Sequence, residues 1–160
     1  RVEGNGLDEP DVHDIQIDPD EPDRVFVTTE YDVRFSDDNG QSWVNVAGDG
    51  EDRPMPYRRC VKLLEGNPKT MLIAIGDASV GNEGAILRST DGGATFEMPD
   101  LPVRPSSHIE CFATHPADPE LVIACTHYGQ LFGSSDGGDW WMKFQKEVTE
   151  NRGALAWMPN

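Results

Sequence analysis

Cations are scarce in this chain and carboxylates are not. Thirteen Lys+Arg stand against 29 Asp+Glu, a formal charge of −16. The exceptions therefore stand out: the adjacent pair Arg58 and Arg59, Arg152 near the C-terminal end, and the histidines His13, His108 and His127. A guanidinium presents a fork that matches carboxylate or phosphate oxygens, so a mouth lined by these groups would suit an anionic ligand. The same arginines would also serve to neutralise Asp49, Glu51, Asp52 and Glu150, and both readings stand at this point. Carboxylates offer a second chemistry. Glycoside hydrolysis needs two of them about 5–10 Å apart across the scissile bond, and Glu30, Asp32, Asp77, Glu83 and Glu110 are the candidates.

Other chemistries are excluded on residue type and spacing. No Cys/His cluster has the spacing of a metal site, so no metal and no cofactor are expected. Asp37-Asp38-Asn39-Gly40 lacks both the alternating acidic positions and the closing Glu of a calcium loop, and reads as a structural turn. Three cysteines are an odd number, which argues against a disulfide framework. Cys111 and Cys125 fall opposite each other if their hairpin is centred on Asp118. A cross-strand bridge is conceivable there, but two small buried side chains fit better. The negative surface repels phosphate backbones and anionic lipid, so neither nucleic acid nor a membrane is an expected partner. No apolar run approaches the ~20 residues of a membrane span.

The elements that must position these residues are set by a repeat, S-x-D-x-G-x-x-[WF]. It occurs as Ser36, Asp38, Gly40 and Trp43, then as Ser89, Asp91, Gly93 and Phe96, then as Ser134, Asp136, Gly138 and Trp141. Each copy makes the same physical sense. The Asp carboxylate folds back onto N–H groups of its own turn, the Gly takes a positive φ, and the aromatic plugs the next strand into a core. The copies begin 53 and 45 residues apart, and a period of about 40–50 residues is that of four-stranded propeller blades.

The pattern predicts the strands accordingly. In the first unit Ile15 and Ile17 alternate with polar residues, Asp18-Pro19-Asp20-Glu21-Pro22 turns the chain, and strands follow over 24–29, 33–35 and 43–46. In the second, strands over 59–64, 71–75 and 85–88 are expected, with a turn at Asn67-Pro68-Lys69 and an insertion at 76–83. The apolar run 71–75 suits a strand buried on both faces. The third has strands over 109–114, 121–125 and 130–132, with His115 in the turn position held by Asp18 in the first. The organisation is thus a leader loop 1–11, blades over 12–50, 57–100 and 107–146, and at 152–160 a closing or truncated inner strand of a fourth unit.

The three boxes resemble the Asp-box, or bacterial neuraminidase (BNR) repeat, of β-propellers such as sialidases, sortilin-type receptors, some endoglucanases and photosystem assembly factors. The resemblance covers nearly the whole chain and implies an all-β propeller segment of three four-stranded antiparallel blades plus the inner strand of a fourth. It also implies that the boxes lie on the face away from the functional one. If the first strand of each blade runs from top to bottom, the boxes lie at the bottom, and the loops between second and third strands and the inter-blade links at the top. The top-face binding candidates are then His13, Glu30, Tyr31, Arg58, Arg59, Asp77, Glu110, His127, Tyr128 and Arg152. Asp14, Tyr57, Ser107, His108 and Asn151 share those upper strand ends. A sialidase would need an Arg-Ile-Pro motif, and Arg53-Pro54 and Arg104-Pro105 are not it.

Three blades and one strand cannot close a ring. The expectations are that the chain is the C-terminal half of a propeller of roughly six or seven blades, that two copies close a ring as a homodimer, or that the arrangement stays open. Arg1 begins the sequence in what reads as mid-sequence, and neither a signal-peptide pattern nor a Met opens it, so the compartment is left open with a lean towards cytoplasm. The expected function is a non-catalytic scaffold for a protein or glycan partner on the face opposite the Asp-boxes. The alternative is a glycoside hydrolase, sialidase-like or glucanase-like, whose active site needs further blades.

Overall fold

The computed structural model describes residues 5–7, 11–46, 55–156 and 158. The expected leader at 1–11 lies mostly outside these residues, as do Asp49, Glu51 and Asp52 and three positions of the tail. Among the described residues, eleven strands form three antiparallel sheets. The first is β1 (Val12–Ile17), β2 (Val25–Thr29), β3 (Val33–Ser36) and β4 (Val44–Asn45), in that order. The second is β5 (Tyr57–Leu64), β6 (Asn67–Gly76) and β7 (Gly84–Ser89). Its outer position is held by a single bridge between Arg88 and Glu97 rather than a fourth strand. The third is β8 (Ile109–His115), β9 (Asp118–Thr126), β10 (Leu131–Ser134) and β11 (Met142–Lys143). Among the described residues of 152–160, where the inner strand of a fourth unit was expected, no strand forms, although Leu155 lies against Cys111 of β8.

The stacking follows from the two-residue period of a strand. Along β6 the odd residues Met71, Ile73 and Ile75 join Phe26, Val33, Val61 and Leu63 in a core against the first sheet. The even residues Leu72 and Ala74 join Ile86, Ile109, Val122, Phe132 and Trp141 in a core against the third. The middle sheet is thus buried on both faces, as its apolar run predicted. The outermost faces are different. Ile15 and Ile17 of β1 are 56% and 59% exposed, and they pair with Val27 and Val25 on the face away from the second sheet. Trp140, Met142 and Phe144 are exposed on the third sheet.

The three boxes share one bonding scheme. Ser36, Ser89 and Ser134 donate Oγ–H to the Asp two residues on, at 2.7–2.8 Å, and accept the N–H of Gly40, Gly93 and Gly138 at 2.8–2.9 Å. Each Asp Oδ1 then accepts the N–H four residues further, from Ser42, Thr95 or Trp140. Two consecutive residues take positive φ, Asn39–Gly40, Gly92–Gly93 and Gly137–Gly138. The first of each pair reaches across to the opening hairpin of its own sheet, with Asn39 N–H on Asp23 O, Gly92 N–H on Lys69 O and Gly137 N–H on Glu120 O, all at 2.9 Å. The boxes and the β1–β2, β5–β6 and β8–β9 turns therefore share one end of the sheets. In the first of those turns Asp18 Oδ1 accepts from Asp20 N–H, and in the third His115 Nδ1 accepts from Ala117 N–H, the equivalence expected from sequence. Trp43 and Trp141 tie their indole N–H to Gly40 and Gly138 carbonyls, a bond Phe96 lacks.

Cys111 and Cys125 are register partners, as the hairpin arithmetic placed them. All three cysteines are free thiols. Burial pushes Cys111 up to about 11 and Cys60 well above its ordinary value, which favours the thiol over the thiolate at both.

Two measurements test this fold. Trp141 is 1% exposed and fills the core between the second and third sheets, so Trp141→Ala should cost about 3–5 kcal/mol in urea unfolding; a loss under about 1 kcal/mol would contradict that packing. The hydroxyl and N–H of Ser42 hold Asp38, and the N–H and hydroxyl of Thr95 hold Asp91, each at about 2 against 3.8. Depressed carboxylates stabilise the fold above the unfolded value of 3.8 and lose that contribution as pH falls towards 2. Carboxyl NMR titrations of both should have midpoints near 2, and ordinary midpoints would mean the turns do not grip their carboxylates.

Candidate functional site

Each inner strand carries a β-bulge near its upper end. The register slips between Val12 and Asp14, between Arg58 and Cys60, and between Ile109 and Cys111. The extra residues are His13, Arg59 and Glu110, one per sheet at equivalent positions. A bulged residue leaves the ladder and its side chain is re-aimed. Repetition of the blade therefore brings an imidazole, a guanidinium and a carboxylate to one end of the inner strands.

Glu110 is the centre of the cluster. Its side chain is 3% exposed, and Arg59 donates to Oε1 from both Nε and Nη2, at 2.9 and 2.7 Å. His108 Nε2 and His127 Nδ1 meet Oε2 at 2.7 and 3.2 Å. Burial alone pushes this carboxyl up, but the hydrogen bonds from His108, Arg59 and His127 and the Arg59 charge outweigh it and hold it at about 2. On its other side His127 Nε2 lies 3.0 Å from Glu150 Oε1, which also takes Arg152 Nε. His127 thus bridges two carboxylates, Glu110 on one ring nitrogen and Glu150 on the other. A row of rings crosses all three sheets at this level: His13–Tyr57, Tyr57–His108, His108–His127 and His127–Tyr128 have centroids 5.1–5.4 Å apart.

Two clefts open beside the cluster. One, of 300 Å³, is lined by Tyr57, Ser79, Val80, His108, Glu110 and Arg152 among others. The other, of 240 Å³, runs along the inner strands between Asp14, Arg59, Cys60, Glu110 and Leu155. Burial raises Asp14 there, against the N–H groups of Val61 and Ile15 that bond its oxygens.

Of the ten candidate residues, His13, Arg59, Glu110, His127, Tyr128 and Arg152 are brought into this network. Arg58 is beside it but points inward. It is 1% exposed, donates to the Met55 carbonyl, and its own carbonyl accepts from His13 Nδ1 at 2.7 Å. Glu30 contributes its backbone carbonyl to Arg58 N–H, and Tyr31 is half-buried on the β2–β3 turn. Asp77 is used locally: its carboxylate accepts the N–H groups of Asn82 and Glu83 and closes the insertion at 76–83. Gly81, at φ +62°, has that carboxylate where a Cβ would sit. Arg152 does neutralise Glu150, whereas Arg59 pairs with Glu110. Among the described residues, the one group of His, Cys, Asp and Glu side chains close enough to share a cation is His108, Glu110 and His127. Sequence spacing hides it, because the members come from one strand end and a turn 17 residues on.

Arg59→Met would leave Glu110 buried with only its histidines. A loss of about 2–3 kcal/mol in chemical unfolding is expected, most of it recovered in Arg59→Met/Glu110→Met. Additive losses in the double variant would show that the two side chains do not act as a pair.

Comparison with known proteins places this geometry. The model of the Sortilin-Vps10 family, described as sortilin, neurotensin receptor 3, matches residues 31–157. The human VPS10 domain-containing receptor SorCS2 is 29% identical over 83 residues, which is 52% of this chain and 7% of that receptor. Among solved structures, the GH74 xyloglucanase from Xanthomonas campestris superposes with a TM-score of 0.66 at 20% identity, over 83% of this chain and 21% of that one. YCF48 bound to D1 peptide superposes with a TM-score of 0.60 at 17% identity, over 88% of this chain and 41% of that one. The chain thus spans less than half the length of each of these relatives. At such identities the two superpositions establish the fold alone, a β-propeller. The family match runs over most of the chain, and with its three Asp-boxes and stacked sheets this chain belongs to the Sortilin-Vps10 family.

Proposed function

We propose that this propeller segment is a non-catalytic scaffold that binds a protein partner through the face opposite its Asp-boxes. The observation that carries the reading is the state of the two carboxylates that hold the cluster together. Glu110 is held at about 2, and Glu150, chiefly through its bond to Arg152, is also lowered. A glycosidase acid must instead stay protonated near neutrality. What the face offers is recognition chemistry: Tyr128, 49% exposed, and Arg152 stand at the edge of the cluster, and Tyr and Arg are the residue types that anchor interfaces. The peptide-bound state of YCF48, a protein of the same fold, supports a protein partner. The exposed apolar residues Ile15 and Ile17 at one end and Trp140, Met142 and Phe144 at the other are faces for further blades, supplied by a longer chain or by a second copy.

The rival reading, a glycoside hydrolase, draws on Asp14, which is raised while Glu110 is lowered on the same cleft. One pair of assays separates the two. On peptide and glycan arrays, peptides should be retained, with Tyr128→Ala and Arg152→Ala each lowering retention about tenfold and Asp37→Ala at the box end leaving it unchanged. Retention of glycans alone would move the proposal to a glycan partner. Release of reducing sugar from xyloglucan that disappears in Asp14→Asn would overturn it.

A further inference from the structure

The geometry points to a divalent transition-metal site of zinc type formed by His108, Glu110 and His127. All three side chains are buried, at 2%, 3% and 8% exposure, and their ligand atoms lie within 4.8 Å of one another. Two imidazoles and one carboxylate suit zinc and its neighbours, whereas calcium and magnesium take oxygen ligands throughout. The contacts of Glu110 Oε2 with His108 Nε2 and His127 Nδ1 are 2.7 and 3.2 Å. The edge of a zinc tetrahedron with ~2.1 Å bonds is about 3.4 Å, so shifts under about 1 Å separate these contacts from ligation.

A second shell is already in place. Metal-bound histidines characteristically donate their other ring N–H to a carboxylate, which fixes the tautomer. His127 does so with Glu150, 3.0 Å from Nε2, leaving Nδ1 for the ion. Arg59 occupies only Oε1 of Glu110 and so orients Oε2 towards the histidines. His108 Nδ1 is buried with no hydrogen-bond partner among the described residues; carrying the ring proton there would free the Nε2 lone pair for the ion. Binding thus keeps the His108 ring proton, on Nδ1, while any proton on His127 Nδ1 is displaced to solvent by the cation.

Three protein ligands leave a fourth position, and the 300 Å³ cleft beside Tyr57, Ser79 and Arg152 gives it room. An ion there would accept a carboxylate or hydroxyl oxygen from a bound molecule. The site lies on the face assigned to partner binding but does not rest on that assignment, since the metal alone is the probe.

The test is calorimetry of the chelator-treated chain with Zn²⁺, paired with the visible spectrum on adding Co²⁺. One saturable Zn²⁺ per chain and a ligand-field band of a low-symmetry Co²⁺ site are expected. Glu110→Gln and His127→Asn should weaken Zn²⁺ binding at least 100-fold. Glu150→Gln, which changes an exposed side chain and spares the fold, should weaken it about 10–100-fold. His115→Gln, at the opposite end of the sheets, should leave it unchanged. Absence of a saturable heat and of the cobalt band overturns the site, as does binding that survives Glu150→Gln and His127→Asn undiminished or is lost in His115→Gln.

Discussion

Everything here hangs on the burial of β6 from both sides. Its odd residues face the first sheet and its even residues face the third, so neither flanking sheet has a core without the middle one. Sheets in such an array cannot be treated as separate units, because each owes part of its stability to an interface with its neighbour. The same stacking sets β1, β5 and β8 side by side. Only because they are adjacent can a bulge repeated once per sheet deliver His13, Arg59 and Glu110 to one place.

That delivery has an electrostatic cost which the sequence meets sparingly. A carboxylate as buried as Glu110 would lose its charge unless hydrogen-bonded and paired. A chain with 29 acidic residues and 13 Lys+Arg spends Arg59, His108 and His127 on that single group. Arg152 and Glu150 then extend the network onto a segment outside the sheets, and Asn151 N–H bonds the His127 carbonyl. The cluster therefore ties the stretch after the third sheet to the inner strands, in addition to whatever it binds.

The fold was legible because its signal is local and repeated. Each S-x-D-x-G turn closes within itself through Ser and Asp side chains, so the pattern survives without knowledge of any neighbour, and the apolar run of β6 announced its two buried faces. The site was legible only in part. Counting strand ends put His13, Arg59, Glu110, His127 and Arg152 on one face, yet no pattern along the chain states that a bulge turns Glu110 towards Arg59, 51 residues earlier. Arg58 shows the limit most plainly: it is adjacent to Arg59 and equal in chemistry, but the pleat sends it into the interior. The second unit departs from the four strands expected of it, with only a bridge in the outer position. The chain after Phe96 runs through Pro99, Pro102 and Pro105, which cannot donate to a ladder, and pairing ends at Arg88 with Glu97.

The two ends of the sheets use the same carboxylate chemistry for opposite purposes. At the box end Asp38, Asp91 and Asp136 are each consumed by their own turn, and each turn is laced to the opening hairpin of its sheet. At the other end Asp77 repeats that device, folding onto Asn82 and Glu83 to close the insertion. The closed insertion then offers the Val80 carbonyl to His108 N–H at 3.0 Å. Glu110 differs in taking all its partners from other elements or from side chains, with none from the backbone of a turn. A carboxylate satisfied by side chains can exchange one of those partners for an incoming group, while one locked by its own backbone cannot. That distinction, rather than exposure or charge, separates Glu110 from Asp38, Asp77, Asp91 and Asp136.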